Sequence, residues 1–206
     1  MPADTRPLPV PDLLPDLLGV LREATGPSHE QLDGAFGSLD LARREDLARF
    51  LRAHLTGLTP LFESFRRYVR DTLALPCPDY PAMLRDDLAA LGDEALTGPI
   101  LPRPAAIDQT GADAGVAYVV AGSRLGLTVI RQRGYWGAAE GFRSSYMEDT
   151  GGHAAWKALV PRLRALRPDN PEGEAARAAA LASFDTFARA FAVSAASEKA
   201  QQGTNG

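Results

Sequence analysis

The stretch DAGVAYVVAGSRLGLTVIRQR, residues 113–133, is long and apolar and contains three glycines. Its apolar residues recur with a helical period, so it predicts one helix from end to end. Gly115, Gly122 and Gly126 are seven and four residues apart, which places them on nearly the same face. Each glycine costs about 1 kcal/mol relative to alanine inside a helix, so something must approach the backbone closely there. Either a neighbouring helix packs on this small-residue groove or a flat ligand lies against it.

The same helical period extends through the rest of the chain, and no run of strict alternation predicts a strand. The sequence therefore predicts an all-α, single-domain multi-helix bundle. The other helices are expected at residues 13–36, 40–71 with a kink at Pro60, 81–91, 140–149 and 153–166, and after the cap Asn170-Pro171. A Pro-rich arm is expected at 1–12, the helical domain at 13–196, an irregular connection at 97–112 and a disordered tail at 197–206.

Composition narrows the possible functions. The chain has 206 residues and a formal net charge of -4, with basic and acidic residues interspersed, so we expect no nucleic-acid partner. Its one cysteine, Cys77, excludes an intrachain disulfide and a multi-cysteine zinc site, as is typical of a reducing compartment. We find neither a signal-peptide pattern nor an apolar run of about 20 residues. We therefore expect a cytoplasmic protein without a membrane partner.

Three histidines are candidates for chemistry. His153 follows two glycines and is expected to be a solvated residue near a helix start. His54 lies on a long apolar stripe, where a hydrogen-bonded core histidine is the default interpretation. His29 shares that interpretation by its spacing to apolar neighbours. However, Gly26-Pro27 could end the helix, and the Ser-His-Glu-Gln pattern that follows also fits a capping box. Spacing alone leaves both alternatives open.

If a flat ligand lies between His29 and the glycine face, a planar metal macrocycle would suit both of these sides. His29 would face it from one helix and the glycine face would lie against it from another. Neutral imidazole is a common ligand of iron, and heme iron is often held by one histidine. Arg22 precedes His29 by two helical turns, so it could bind a carboxylate of the ligand or remain an ordinary solvated arginine.

Three segments resemble one known family in the same order along the chain. LREATGPSHEQLD, AYVVAGSRLGLTVI and SSYMEDTGGHAAWKALV are similar to parts of bacterial biliverdin-producing heme oxygenases, particularly those that accompany bacteriophytochromes. In that family they are the proximal-histidine helix, the glycine-bearing distal helix and a later aromatic segment. The resemblance implies a heme-oxygenase-like helical bundle.

The resemblance also implies roles for individual residues. His29 would be the axial ligand of heme b, and Gly122 and Gly126 would lie over the distal heme face. Ser123 stands where other members have an acidic water-organising residue, and phytochrome-linked members commonly have this serine. Leu127 departs from the family, which usually has a second glycine here. This leucine would point beside the ligand or crowd the distal pocket.

The implied reaction uses heme as both cofactor and substrate. Heme would react with O2 and with electrons from an external donor, such as ferredoxin or a reductase, to give biliverdin, carbon monoxide and ferrous iron. A bacteriophytochrome could receive the bilin. The heme propionates require cations, for which Arg22, Lys157 and Arg162 are candidates, and Tyr118 would lie near the same rim.

Two other functions remain open. The chain could be a non-catalytic heme carrier or sensor that keeps His29 but is blocked distally by Leu127. It could also be a helical bundle of the same fold without heme, with another enzyme activity or an interaction role. The aromatic residues Trp156, Phe184 and Phe187 are expected to belong to the core rather than to contact heme.

Overall fold

A computed structural model describes residues 15–93 and 100–204, with side chains described through residue 196. Every regular element in those residues is helical, which confirms the all-α prediction. The eight α-helices are α1 Leu17–Gly37, α2 Arg44–Leu58, α3 Phe62–Arg67, α4 Tyr80–Ala90, α5 Ala112–Arg133, α6 Ser145–Glu148, α7 Gly151–Ala165 and α8 Pro171–Thr204. A π-helical turn at Tyr68–Thr72 and a 3-10 turn at Ala105–Asp108 complete them. The predicted Pro-rich arm at 1–12 lies outside the described residues.

Helix α5 packs against several of the other helices, and its glycines decide how closely they approach. It packs against α8, α7 and α3, while α8 also packs against α1 and α2. At the start of α5, a Cβ atom on Gly115 would lie 2.7 Å from the carbonyl carbon of Ala176 in α8. Real Cβ atoms do not approach backbone so closely, so glycine is required for α5 and α8 to pack at this distance. For Gly115, the neighbour that approaches is a helix.

Helix α5 is also long and apolar enough to cross a membrane by length and composition alone, although the sequence was expected to contain no such stretch. Half of its most apolar window is buried inside the protein. The core helix of a soluble protein passes the same test, so this feature is weak support for a membrane span.

Side-chain caps fix the starts of α1, α4 and α8, and the Ser144 hydroxyl caps α6 in the same way. Asp16, Asp79 and Asn170 each accept a hydrogen bond from the amide three residues later, at 2.7, 3.0 and 2.7 Å. Such caps satisfy amides that have no partner inside the helix. The Asn170 cap confirms the predicted start of the last helix. The Asp16 cap places the start of α1 at Leu17, later than the predicted residue 13.

Helix α1 continues without interruption past Gly26-Pro27. Pro27 removes one amide donor, so the carbonyl four residues earlier, at Glu23, loses its helical partner. Both Pro27 and Glu23 are exposed, so water can bind that carbonyl. The alternative of a capping box that starts a new helix after Pro27 is therefore wrong, and His29 lies in the second half of a single helix.

The predicted helix over 40–71 is instead three elements. Asp40 does not cap it, because its carboxylate accepts the amide hydrogen of Ala42 at 3.2 Å in a preceding turn. The helix begins at Arg44. Pro60 does more than kink it, because the chain turns at 59–61 and separates α2 from α3.

Two other helix boundaries differ from the prediction. The helix expected at 140–149 is only the four residues of α6, because the chain before it turns at Gly137 and Gly141, both with positive φ. The backbone of α8 is helical through Thr204, where we expected a disordered tail from residue 197. The SEKAQQ sequence there consists mostly of good helix formers, which favours continuation.

Candidate functional site

A cavity of about 630 Å³ lies between α1 and α5, and α2, α7 and α8 contribute the rest of its wall. Its volume falls within the range of about 300–1,000 Å³ that is usual for small-molecule sites. The wall is mainly apolar and aromatic, with few polar side chains. This combination is typical of a site for a largely apolar ligand that a few polar contacts orient.

Most of the residues singled out in the sequence meet at this cavity. Those that line it are Arg22, His29, Tyr118, Gly122, Ser123, Gly126 and Leu127. Two predicted propionate partners do not line it. Lys157 is exposed on α7. Arg162 lines a separate cavity of about 400 Å³ with Tyr68 and Leu166.

His29 projects from α1 into the mouth of the cavity. Its side chain is 59% exposed, so the expectation that it lies on a buried face is wrong. The ring lies 5.9 Å from the ring of Phe184 in α8, centroid to centroid. Nδ1 lies 3.0 Å from a carboxylate oxygen of Asp33, one helical turn later. If Nδ1 carries the proton it donates to Asp33, and the lone pair of Nε2 is then available to a metal.

Asp33 is a cavity residue that the sequence analysis did not single out. Its signal is the four-residue spacing from His29, which brings the two side chains together on one helix face. A carboxylate that orients the far nitrogen of a metal-ligating histidine is a common arrangement. The pair therefore supports a ligand role for His29.

The three glycines of α5 have three different neighbours. Gly115 faces the backbone of α8, as described above. A Cβ atom on Gly122 would lie 3.3 Å from the ring of Trp156, so this glycine lets an aromatic ring approach. A Cβ atom on Gly126 would meet nothing within 4 Å. The alternative of a neighbouring helix is therefore confirmed for Gly115, and of the three only Gly126 has open space before it.

The hydroxyl groups near the cavity are held by backbone. Ser123 Oγ donates to the carbonyl of Val120 at 2.9 Å. Thr25 Oγ1 donates to the carbonyl of Leu21 at 2.7 Å and lies 3.4 Å from Tyr118 Oη. Since each hydroxyl oxygen keeps acceptor capacity, these groups could bind water at the wall.

Aromatic side chains and one leucine form the apolar wall. Phe184 and Phe187 are 7% and 4% exposed and belong to the core, as expected, yet they and the half-buried Trp156 also line the cavity. The core placement of Phe184 and Phe187 is therefore confirmed, while contact of the three rings with a ligand stays untested. Leu127 is buried and lines the cavity, so it occupies volume that a glycine would leave free.

His54 is a core histidine, as predicted, and it also lines the cavity. Its Nδ1 lies 2.8 Å from the carbonyl oxygen of Phe50. Burial, with a smaller contribution from the nearby positive charge of Arg124, lowers the pKa of His54 to about 4, although its hydrogen bond to the Phe50 carbonyl acts in the opposite direction. The ring is therefore neutral near pH 7. Because a carbonyl only accepts, Nδ1 carries the proton and Nε2 keeps its lone pair.

The third histidine lies elsewhere. His153 is half-buried on α7, and its Nε2 lies 2.8 Å from Thr128 Oγ1 on α5. It therefore connects two helices and is not simply a solvated residue at a helix start. It does not line the cavity, which makes it a useful control in experiments on His29 and His54.

The charged groups of the cavity are few. Arg22 is its one lysine or arginine, and no ion pair of Arg22 is found within the part of the chain that the structure describes. Arg22 and His29 lie two helical turns apart on α1. Apolar walls, the imidazole of His29 at the mouth, one cation and the open space at Gly126 fit a flat apolar ligand with a carboxylate edge, such as a metalloporphyrin, while the second imidazole, His54, lies deeper among aromatic rings. No group of three His, Cys, Asp or Glu side chains suited to a metal ion occurs among the described residues.

Comparison with known proteins gives no family assignment. No protein-family model matches the chain, and no curated protein matches its sequence significantly.

Proposed function

We propose that this protein is a heme oxygenase that uses O2 and electrons from an external donor to open heme to biliverdin, carbon monoxide and ferrous iron. The observation that carries the proposal is the cavity between α1 and α5, with His29 at its mouth and open space before Gly126. The sequence resemblance supports the same reaction. A ferredoxin or a reductase would supply electrons in the cytoplasm, and a bacteriophytochrome could receive the bilin.

The residues of α1 would bind and orient the substrate. Asp33 holds Nδ1 of His29, so Nε2 would ligate the heme iron. Arg22 would pair with a propionate at the cavity mouth through its planar guanidinium group. The bound iron would supply the oxygen chemistry.

The residues of α5 would shape the opposite side of the site. Gly126 leaves room at the wall, while the neighbouring Leu127 narrows it. The Ser123 hydroxyl donates to backbone, so its oxygen would accept a hydrogen bond from an ordered water and help to position it. A water held there would be a source of protons for the bound substrate.

A non-catalytic heme carrier or sensor is the second candidate. The observation in its favour is Leu127, which is buried and lines the cavity where the family that the chain resembles usually has glycine. Both candidates require heme on His29. They differ in whether the bound heme is consumed.

One experiment separates these functions. The purified protein is titrated with hemin, and a sharp Soret band with one hemin per chain is expected. A chemical reductant is then added in air, so that partner docking does not enter, and a biliverdin absorption is expected to replace the Soret band. A stable Soret band under reductant and air would instead support the carrier.

A pair of histidine variants tests whether His29 ligates the heme iron. His29→Ala is expected to change the ligand-field bands of the bound hemin, whereas His153→Ala should leave them unchanged because His153 lies outside the cavity wall. Unchanged bands in His29→Ala would refute ligation by His29. A hemin titration of the parent protein that gives only the broad Soret band of free hemin would refute the heme-binding function itself.

A further inference from the structure

His54 presents an unused hydrogen-bond acceptor to an otherwise apolar part of the cavity. The rings of Phe36, Phe50 and Phe187 surround it, with centroids 4.7, 4.2 and 6.0 Å from its own. Tyr146 lies on another side at 5.7 Å. Nδ1 is committed to the Phe50 carbonyl, so Nε2 is the polar atom that this side chain can offer a ligand.

No partner of His54 Nε2 is found among the residues that the structure describes. Nε2 is not enclosed by protein atoms, because His54 lines the cavity, but a ligand that covered it without donating a hydrogen bond would leave it unpaired at a cost of about 1–3 kcal/mol. Among the other polar groups of the wall, Asp33 pairs with His29, and the Thr25 and Ser123 hydroxyls donate to backbone and keep only acceptor capacity, away from the rings that surround His54. The lone pair on His54 is therefore suited to a ligand that brings its own N–H or O–H donor.

Heme itself offers no such donor at its centre, because its four nitrogens bind iron. An open-chain, metal-free tetrapyrrole differs in this respect, since some of its nitrogens carry hydrogen after the metal has left. In an apolar cavity those N–H groups would be costly without an acceptor. Heme and the open-chain tetrapyrrole thus share size and apolar character. They differ in the central N–H donors, which only the open chain has and which His54 Nε2 can accept.

We propose that His54 Nε2 accepts a hydrogen bond from an N–H group of an open-chain tetrapyrrole, so that the cavity binds the product of ring opening through a contact that heme does not make. This inference rests on the proposed function. His54 would be a specificity-determining residue that favours the metal-free chain over the metalloporphyrin and delays its release.

The test compares two affinities in the same protein, with biliverdin and hemin as the probes. His54→Leu removes the acceptor with little change in apolar volume, and it is expected to lower the ratio of biliverdin affinity to hemin affinity about tenfold, which corresponds to about 1.4 kcal/mol. His54→Gln keeps an acceptor oxygen and should restore part of that ratio. His153→Leu removes a histidine outside the cavity wall and should leave the ratio at the parent value.

A second measurement needs no variant. The chain has three histidines, so nitrogen NMR of protein labelled at histidine can be assigned with few variants. Addition of biliverdin is expected to move the Nε2 resonance of His54 upfield as its lone pair accepts a hydrogen bond. The resonances of His153 should not move.

The outcomes separate this inference from the function on which it rests. A parent protein that binds hemin but not biliverdin overturns the inference and leaves the heme function standing. An equal loss of both affinities in His54→Leu, or a His54 resonance that biliverdin does not move, also overturns it. A parent protein that binds neither probe overturns the inference and the proposed function together.

Discussion

The glycines of α5 allow one prediction to be worked out from the structure in detail. Gly126 and Gly115 lie in the same helix, and alanine is favoured over glycine by about 1 kcal/mol in a helix interior. At Gly126 the added Cβ meets nothing within 4 Å, so the whole helix-propensity advantage of alanine should appear in the free energy of unfolding. Gly126→Ala is therefore expected to raise the free energy of unfolding by about 1 kcal/mol, or Tm by about 2–4 °C for a chain of this size.

At Gly115 the same substitution should have the opposite effect. Its Cβ would lie 2.7 Å from the carbonyl carbon of Ala176 and 3.0 Å from the amide nitrogen of Ala180. These are backbone atoms of α8, which cannot move as a flexible side chain would. Overpacking of a core costs about 1–3 kcal/mol or more, which exceeds the helix-propensity gain. Gly115→Ala is expected to lower the free energy of unfolding by about 2 kcal/mol.

The assay is denaturant unfolding of the hemin-free parent and the two variants, followed by circular dichroism. Hemin-free protein isolates the packing effect from any change in ligand binding. A Gly115→Ala variant as stable as the parent would show that α5 and α8 do not pack at this distance. A destabilised Gly126→Ala variant would show that the space before Gly126 is filled in the hemin-free protein.

Four further predictions concern charge, buried polar groups and turnover. Arg22→Glu should weaken hemin affinity at least tenfold, about 1.4 kcal/mol, because attraction to a propionate becomes repulsion; unchanged affinity in a hemin titration would assign Arg22 to solvent. Gly126→Leu should slow biliverdin formation in single turnover far more than it weakens hemin binding; parental turnover would remove Gly126 from the site. The buried Asp87 carboxylate accepts four hydrogen bonds from the 144–146 segment, so Asp87→Ala should lower the free energy of unfolding by about 3 kcal/mol. The matched control Asp86→Ala removes an exposed carboxylate and should cost less than about 0.5 kcal/mol. Equal effects of the two substitutions would contradict the buried role of Asp87. The pKa of His54 is about 4 in the folded protein and 6.5 in the unfolded chain, so between these two pH values only the unfolded chain binds the proton. The free energy of unfolding should therefore fall by up to about 3 kcal/mol as the pH drops from 6.5 to 4. His54→Gln should make this part of the pH profile flatter.

The sequence and the structure agree best where a local pattern is enough. The helical period of residues 113–133 predicts α5 within one residue at its start, and the Asn170 cap predicts the start of α8. They disagree where two local signals compete. Gly26-Pro27 and the polar pattern after it have the composition of a helix boundary, but the packed helix continues through them. Local composition cannot settle such a competition, because the packing energy that decides it comes from other helices.

The residues that meet at the candidate site were harder to predict from the sequence than the helix boundaries were. The sequence by itself determined that the chain is helical, because the period of its apolar residues is a property of neighbouring positions. It also determined that His29 and Asp33 share a helix face once the helix is continuous. Only the tertiary structure decided that Gly115 faces α8 while Gly126 faces open space, that His54 is both a core and a cavity residue, and that Arg162 lies in a different cavity. Each of these depends on how far apart two helices pack and on their relative rotation, and those quantities are set by side chains distant in sequence that meet only in the folded bundle.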